Sequence, residues 1–252
     1  MATPFHDHPS ILSPSKSLEQ KRRLARLPTT SAPKTVIFCN QNHFLKKTLD
    51  LMSYRQCDGC FSKLYYLTEY PEVAIANFGL GASVIALKME ELIAWGVEQF
   101  ISMGTAGSLQ TKAKIGSLVV CEKAIRGEST SQHYLPATKY IHAPRRMTNK
   151  LQLQLKKENI PFLIGSTWTI DRFQEQAAEE IALYQKEGVL TVESETAALF
   201  AVAHFYQVDL SAFFTISDAY SDLIWQSNLE EENIEKGLRT LLKIALAASK
   251  EE

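Results

Sequence analysis

Apolar residues in the first half of the chain fall into short runs rich in β-branched and aromatic side chains. These runs occupy 35–39, 73–77, 100–103 and 117–121. Runs of four or five such residues, followed by Asn, Gly or other turn residues, are typical of buried strands. The pattern therefore predicts four strands before residue 122.

Between the second and third runs, the apolar spacing becomes helical. The residues that carry it, at i, i+4, i+7 and i+8, are Ile85, Met89, Leu92 and Ile93. This spacing predicts an amphipathic helix, which Gly96 is placed to end. Strand, helix and strand in this order favour a mostly parallel sheet covered by helices.

The second half of the chain continues the alternation. It predicts helices at 177–187, 195–206 and 229–248, and a buried strand at 210–217 that ends at Asp218. The fold class predicted from the whole pattern is α/β, a single domain with a mixed, mostly parallel central sheet flanked by helices.

The first 34 residues differ from the rest. Residues 16–26 are basic and 28–33 contain Pro, Thr and Ser, so we predict an N-terminal arm and linker over 1–34 and the α/β domain over 35–252. We expect the arm to be solvated and to pack on a neighbouring subunit. A transit peptide or an anionic partner is the alternative interpretation of its charge.

Composition and charge exclude several functional classes. Of 252 residues, 45% are hydrophobic and 22% are charged, which is typical of a globular domain and not of a disordered chain. The 27 Lys and Arg residues balance 28 Asp and Glu, whereas nucleic-acid binding favours a basic surplus. The apolar region 196–217 is interrupted by Asp209 and is too short before it for a membrane helix. We expect no nucleic-acid partner and no membrane partner.

Four cysteines, too few and too scattered for a disulfide framework, favour a reducing compartment. Residues 1–10 contain no apolar leader, so we predict no secretory signal and a cytoplasmic location. Cys57 and Cys60 form a C-x-x-C motif, which suits a redox pair or half of a zinc site, but no second ligand pair follows. We interpret the motif as a reduced turn and expect no metal.

Candidate chemistry lies at the strand ends, because ligands of open α/β sheets bind beyond the carboxyl ends of the strands. Gly104, Thr105 and Gly107 follow the third strand. Glycines there let successive N–H groups converge and the threonine hydroxyl adds a donor, which suits a phosphate or a carboxylate. A simple tight turn is the alternative.

Two carboxylates surround Ser194 at the start of the predicted helix 195–206. A carboxylate accepts two hydrogen bonds side by side, so Glu193 or Glu195 can hold the neighbouring hydroxyls of a ribose. Alternatively, both complement the positive end of the helix.

Asp218 ends the buried strand 210–217. A carboxyl group against apolar walls favours its neutral form, which can donate a proton to a leaving group. The alternative is a helix cap or a loop residue.

In chain order, these elements resemble the nucleoside phosphorylase family, which contains purine nucleoside phosphorylases, uridine phosphorylases and methylthioadenosine nucleosidases. The resemblance covers 35–247. Its most specific stretches are 79–81, 103–109, 115–120, 126–134, 192–199 and 216–218. It implies a three-layer α/β fold and a homo-oligomer, a dimer or a hexamer, in which a neighbour completes each site.

The resemblance also implies roles for individual residues. Glu195, with Glu193 and Ser194 beside it, is expected to bind ribose, and Gly104 and Thr105 are expected to bind phosphate. Asp218 is expected to be catalytic and to contact the base. The base site is further expected to include Trp168 and Phe173.

The chain departs from the family pattern where phosphate binds. Typical phosphorylases carry a glycine and an arginine in the loop after the first strand, where this chain has 40–44 without an arginine, and Ser102 replaces a second arginine. For a third arginine, from a neighbouring subunit, Arg55 is the one candidate. The family's nucleosidases lack these arginines but place a glutamate in the first loop, which is also absent here.

From this resemblance we expect phosphate-dependent cleavage of the N-glycosidic bond of a nucleoside, purine ahead of uridine. The products are the free base and ribose 1-phosphate. Phosphate is then a co-substrate, and no cofactor is expected. The alternatives are a nucleosidase that uses water and a nucleoside-binding protein without turnover, because binding a dianion without guanidinium groups loses the strongest charge-assisted contacts.

Overall fold

The computed structural model describes residues 11–24, 27–28, 30–57, 63–172, 178–220, 224–227 and 231–250. Within these residues the strands are β1 (Thr35–Cys39), β2 (Tyr54–Cys57), β3 (Lys63–Leu67), β4 (Val73–Asn77), β5 (Gln99–Ser108), β6 (Leu118–Gly127), β7 (Tyr140–His142), β8 (Leu163–Ile170), β9 (Thr191–Glu193) and β10 (Asp209–Ala219). The α-helices are α1 (Pro14–Arg23), α2 (Asn42–Leu49), α3 (Ala82–Trp95), α4 (Arg145–Lys157), α5 (Ala178–Lys186), α6 (Thr196–Tyr206) and α7 (Glu231–Lys250).

The described strands pair into one mixed sheet whose centre is parallel. β1 lies between β4 and β5 and is parallel to both, and β5 is also parallel to β10. The hairpin of β2 and β3 extends the β4 side in antiparallel fashion. On the other side, β5, β9, β8, β6 and β10 pair in a closed ring, because β10 contacts both β6 and β5. The predicted α/β fold with a mixed central sheet and flanking helices is confirmed.

The central strands are mostly apolar because helices cover both faces. Val36 and Phe38 of β1 join the core on the side of α3 and α6, whereas Ile37 and Cys39 join the core on the side of α4 and α7. Side chains alternate between the two faces of a strand, so a strand covered on both sides buries nearly every side chain, including the polar Thr35 of β1. Three layers result.

The helical pattern predicted α3 closely. Ile85, Met89 and Leu92 are buried on α3, and Gly96 ends that helix in the left-handed conformation with φ 120°. Glycine has no Cβ to clash there, which explains why the helix stops at this residue.

Three strands, β5, β6 and β10, are longer than the sequence predicted. β5 continues through Gly104 and Gly107 to Ser108, and β10 continues through Asp218 to Ala219. The alternative interpretation of 104–107 as a tight turn is therefore wrong, because β10 and β9 continue alongside and hold these residues in a strand. An irregularity between Ile216 and Asp218 in the register with β5 changes the direction of the Asp218 side chain.

The N-terminal segment contains a helix that packs on its own chain. Ser13 caps α1 by accepting a hydrogen bond from the Lys16 N–H at 3.2 Å. Leu18 is buried in the core beside α3, and Lys21 forms an ion pair with Glu91 of α3. The described part of the predicted arm thus covers α3 of the same chain, where we had expected contact with a neighbour.

None of the helices in the described ranges is long and apolar enough to cross a membrane. Those ranges also contain no cluster of His, Cys, Asp and Glu suited to a metal.

The C-x-x-C motif is only partly described. Cys57 is buried at the end of β2, while Cys60 lies outside the described residues, so the interpretation of the motif stays a prediction.

Replacing Leu18 with Ala should lower the free energy of unfolding by about 2 kcal/mol, because it removes buried methyl groups between α1 and α3. Urea-induced unfolding measures the change. Leu12→Ala is the matched control in the same segment, since Leu12 is 69% exposed. Equal stability of Leu18→Ala and the wild type would contradict the packing of α1 on α3.

Candidate functional site

The carboxyl ends of the parallel strands β1, β5 and β10 meet at a cavity of about 280 Å³. Its lining includes six of the predicted site residues, which are Gly104, Thr105, Glu193, Ser194, Glu195 and Asp218. They come from β5, β9, the start of α6 and β10. The sheet topology thus brings together residues that are more than 100 positions apart in the sequence.

Gln41 covers the end of the cavity formed by Gly104 and Thr105. Its Nε2 donates a hydrogen bond to Thr105 Oγ1 at 3.3 Å. A Cβ on Gly104 would lie 3.2 Å from the same Nε2, so a larger residue would push Gln41 away. The sequence indicated only that the loop after β1 is polar, and it did not identify Gln41 as a lining residue.

The Glu193 carboxylate is used by the protein itself. Oε1 accepts a hydrogen bond from Thr169 Oγ1 at 2.6 Å, and Oε2 accepts from the N–H groups of Glu195 and Thr196, each at 2.8 Å. Burial raises the pKa of Glu193, and these hydrogen bonds oppose the rise. Glu193 therefore complements the N-terminus of α6, which was the alternative to a ribose contact.

Glu195 is held by a backbone group from a distant loop. The Gly81 N–H donates to Glu195 Oε1 at 2.7 Å, and Gly81 has φ 110°, a conformation that favours glycine. Burial, followed by the charge of Glu193, raises the pKa of Glu195 to about 7, although hydrogen bonds from the N–H groups of Gly81 and Ser194 oppose the rise. Near neutral pH, this group can therefore change its charge.

Polar groups surround Asp218, where the sequence predicted apolar walls. Ser217 Oγ donates to Oδ1 at 2.6 Å and Trp225 Nε1 donates to Oδ2 at 3.3 Å. Tyr220 lines the cavity beside it, and burial, together with the charge of Asp218 and a hydrogen bond to it, raises the pKa of Tyr220 to about 12. Asp218 lies at the end of β10, where these polar groups replace the apolar neighbours of residues 210–216. The apolar walls that the strand predicted therefore do not extend to Asp218.

Gly107 leaves the space that Asp218 and Tyr220 occupy. A Cβ at this position would lie 2.7 Å from Tyr220 Cε2 and 2.9 Å from Asp218 Oδ2. Both distances are below van der Waals contact, so a side chain on Gly107 would displace the carboxylate. The absence of a side chain at Gly107 therefore makes the space that the Asp218 carboxylate occupies.

Of the two predicted base-site aromatics, the structure describes only Trp168, which does not line the cavity. Trp168 is 3% exposed and packs on Tyr184 with a ring-centroid distance of 4.7 Å, away from the cavity lining. Phe173 lies outside the described residues. Ile170 and Tyr220 line the cavity instead. Tyr220 follows Asp218 by two positions, so strand periodicity could have identified it.

The described lining of the cavity carries three carboxylates, from Glu193, Glu195 and Asp218, and no Lys, Arg or His. Ser102 and Gln41 lie in the lining where the family resemblance would place groups that bind phosphate. The three carboxylates, with Ser102 and Gln41, can accept hydrogen bonds from hydroxyl or N–H groups of a neutral ligand. They supply no positive charge for an anion.

The chain matches known proteins in sequence and in fold. The sequence pattern of the phosphorylase superfamily matches residues 56–250. A purine nucleoside phosphorylase of the DeoD type from Caldanaerobacter subterraneus is 29% identical over 202 residues, which cover 78% of this chain and 86% of that relative.

Two solved structures have a similar fold. Uridine phosphorylase from Vibrio fischeri has a TM-score of 0.77 at 21% identity, covering 86% of this chain and 91% of its own. AMP nucleosidase from Bacteroides thetaiotaomicron has a TM-score of 0.75 at 19% identity, covering 94% and 98%. Because the superfamily pattern extends over most of the sequence and the fold agrees, the chain belongs to the phosphorylase superfamily.

Proposed function

We propose that this protein cleaves the N-glycosidic bond of a nucleoside, with purine nucleosides ahead of uridine. The observation that carries the proposal is the placement of Glu195 and Asp218 in one cavity, each held by hydrogen bonds. A neutral sugar and base suit a lining of hydrogen-bond acceptors without a cation. The name of the related purine nucleoside phosphorylase supports the same substrate class.

In the proposed reaction, the bond from ribose C1′ to the base nitrogen breaks through an oxocarbenium-like state. Glu195 accepts hydrogen bonds from the ribose hydroxyls, and its negative charge, with that of Glu193, stabilises the positive charge on the sugar. Asp218 contacts the base, and a proton that its carboxyl group has taken from solvent passes to N7 of a purine as the base leaves. Asp218 is left as a carboxylate, and this transfer makes it the proposed catalytic residue. Ser194 lies between the two glutamates beside the sugar.

Phosphate is the nucleophile that we propose first, because relatives of this chain are phosphorylases. It would attack C1′ near Gly104 and Thr105 and give ribose 1-phosphate, with no cofactor. The required positive charge would come from a neighbouring subunit, since the described lining has none. That same absence favours hydrolysis as a second candidate, because placing a dianion near three carboxylates costs electrostatic energy that water does not.

Assembly into a homo-oligomer is part of the proposal. Leu80 lines the cavity and is 65% exposed, and Leu87, two turns further along α3, is 61% exposed. Val84 lies between them and is also exposed. An apolar row that begins at the rim of the cavity suits contact with a second copy, which would complete the site.

We also propose a cytoplasmic location, in line with the thiols of Cys39 and Cys121, which form no disulfide.

The direct test measures base release from inosine, adenosine and uridine, each with and without phosphate. We expect purine cleavage that depends on phosphate, with ribose 1-phosphate as the sugar product. Asp218→Asn should lower kcat/KM for purines by about 10²–10⁴. Equal rates without phosphate, with free ribose as the product, would establish water as the nucleophile. Binding without any cleavage would identify a nucleoside-binding protein.

Nucleoside affinity should fall as the pH decreases through about 7. The pKa of Glu195 is raised to about 7, and ribose hydroxyls donate best to the ionised carboxylate, so protonation removes the binding form. A C-nucleoside analogue of inosine, which cannot be cleaved, should bind about tenfold more weakly at pH 6 than at pH 8 in calorimetric titrations. In Glu195→Gln this dependence should disappear, and its persistence there would assign it to another group.

Substituting Leu87 with Glu should dissociate the proposed oligomer, because it places a charge in an apolar contact. Light scattering should give a multiple of the chain mass for the wild type and the mass of a single chain for the variant. Leu153→Glu, on the exposed side of α4, is the control and should keep the wild-type mass. A monomeric wild type would contradict the proposed assembly.

A further inference from the structure

Trp225 lies outside the strands and helices and contacts Asp218, the residue that we propose to bind the base. Its Nε1 donates to Asp218 Oδ2 at 3.3 Å. The side chain is 63% exposed, so it is not a core residue that happens to touch Asp218.

The backbone fixes this position from both sides of the loop. Ala219 and Gln226 exchange two hydrogen bonds, with N···O distances of 3.0 Å and 2.8 Å, in an antiparallel bridge. The Tyr220 N–H donates to the Ser108 carbonyl at 2.8 Å. Trp225 therefore returns to the end of β10 and lies next to Asp218.

The two oxygens of Asp218 face different surroundings. Ser217 occupies Oδ1 from the same strand, whereas Oδ2 lies 2.9 Å from the Cβ position of Gly107 in the cavity lining. Oδ2 is thus the oxygen on the side of the cavity and the one that a base can reach. In the structure, the Trp225 indole N–H already donates to it.

We propose that Trp225 is a specificity-determining residue of the base site, whose indole N–H holds Asp218 Oδ2 until the base replaces it. This inference rests on the proposed contact between Asp218 and the base. A base that donates an N–H to Oδ2 must exchange one hydrogen bond for another, so Trp225 lowers the affinity for such a base by the free energy of the indole bond. The C-nucleoside analogue of inosine, which carries an N–H at purine position 7, is a base of this kind. Affinity is set by the difference between the two hydrogen bonds.

Trp225→Phe separates this role from a structural one, because it keeps an aromatic ring and removes the N–H donor. We expect the C-nucleoside analogue of inosine to bind about threefold to tenfold more tightly to Trp225→Phe than to the wild type in calorimetric titrations. Ile224→Ala, at the adjacent position with 64% exposure, is the matched control and should bind like the wild type. A residue with a merely structural role would weaken binding when altered.

A double-mutant cycle tests whether the effect passes through Asp218. In the Asp218→Ala background, Trp225→Phe should leave the Kd unchanged, because both oxygens for which the indole and the base could compete are gone. Tryptophan emission gives a second readout. The analogue should change the emission of the wild type, and this change should be lost in Trp225→Phe, where Trp95 and Trp168 remain.

The outcomes distinguish this inference from the proposed function. If Asp218→Asn weakens binding but Trp225→Phe binds like the wild type or more weakly, only the role of Trp225 is overturned. If Asp218→Asn binds like the wild type, the proposed base contact is wrong, and the inference falls with it. If the wild type does not bind the analogue, the proposed nucleoside site itself is wrong.

Discussion

Parallel pairing between β5 and β10 positions the residues around which the candidate site is built. In this register Thr105 lies opposite Thr215, and Gly107 lies opposite Asp218. The ends of both strands point to the same edge of the sheet, so the polar residues that follow two buried apolar runs meet there. The irregularity at Ser217 then turns Asp218 toward the space that Gly107 leaves open.

The carboxylates at this edge have different functions because their donors differ. Three donors from the protein satisfy Glu193, which fixes the start of α6 and with it the backbone of Glu195. Burial, followed by the charge of Glu193, raises the pKa of Glu195 to about 7, while the Gly81 N–H donates to its Oε1 and opposes the rise. The charge of Glu193, satisfied by the protein's own donors, thus helps to bring the ionisation of Glu195 into the neutral range, where pH decides how strongly Glu195 accepts hydrogen bonds.

Patterns within short stretches of the sequence predicted the elements whose structure depends mainly on those stretches. The runs of β1 and β4 and the helical face of Ile85, Met89 and Leu92 are visible because period and burial act within one element. The stretch 104–107 could not be assigned in this way, since its Gly and Thr residues favour a turn and only pairing with β10 and β9 makes it a strand. Trp168 was placed in the base site, but contact with Tyr184 buries it in the core.

The end of the cavity that contains Glu195 and the exposed face of α3 meet in the short loop before that helix. Leu80 lines the cavity from this loop, and the next residue, Gly81, donates to Glu195 through its N–H. Because Gly81 also begins α3 as its N-cap, a movement of Leu80 changes the position of this donor. Loss of the donor would leave burial and the charge of Glu193 unopposed on that side and raise the pKa of Glu195 further. Contacts made by Leu80 therefore bear directly on the charge of the carboxylate proposed to bind ribose.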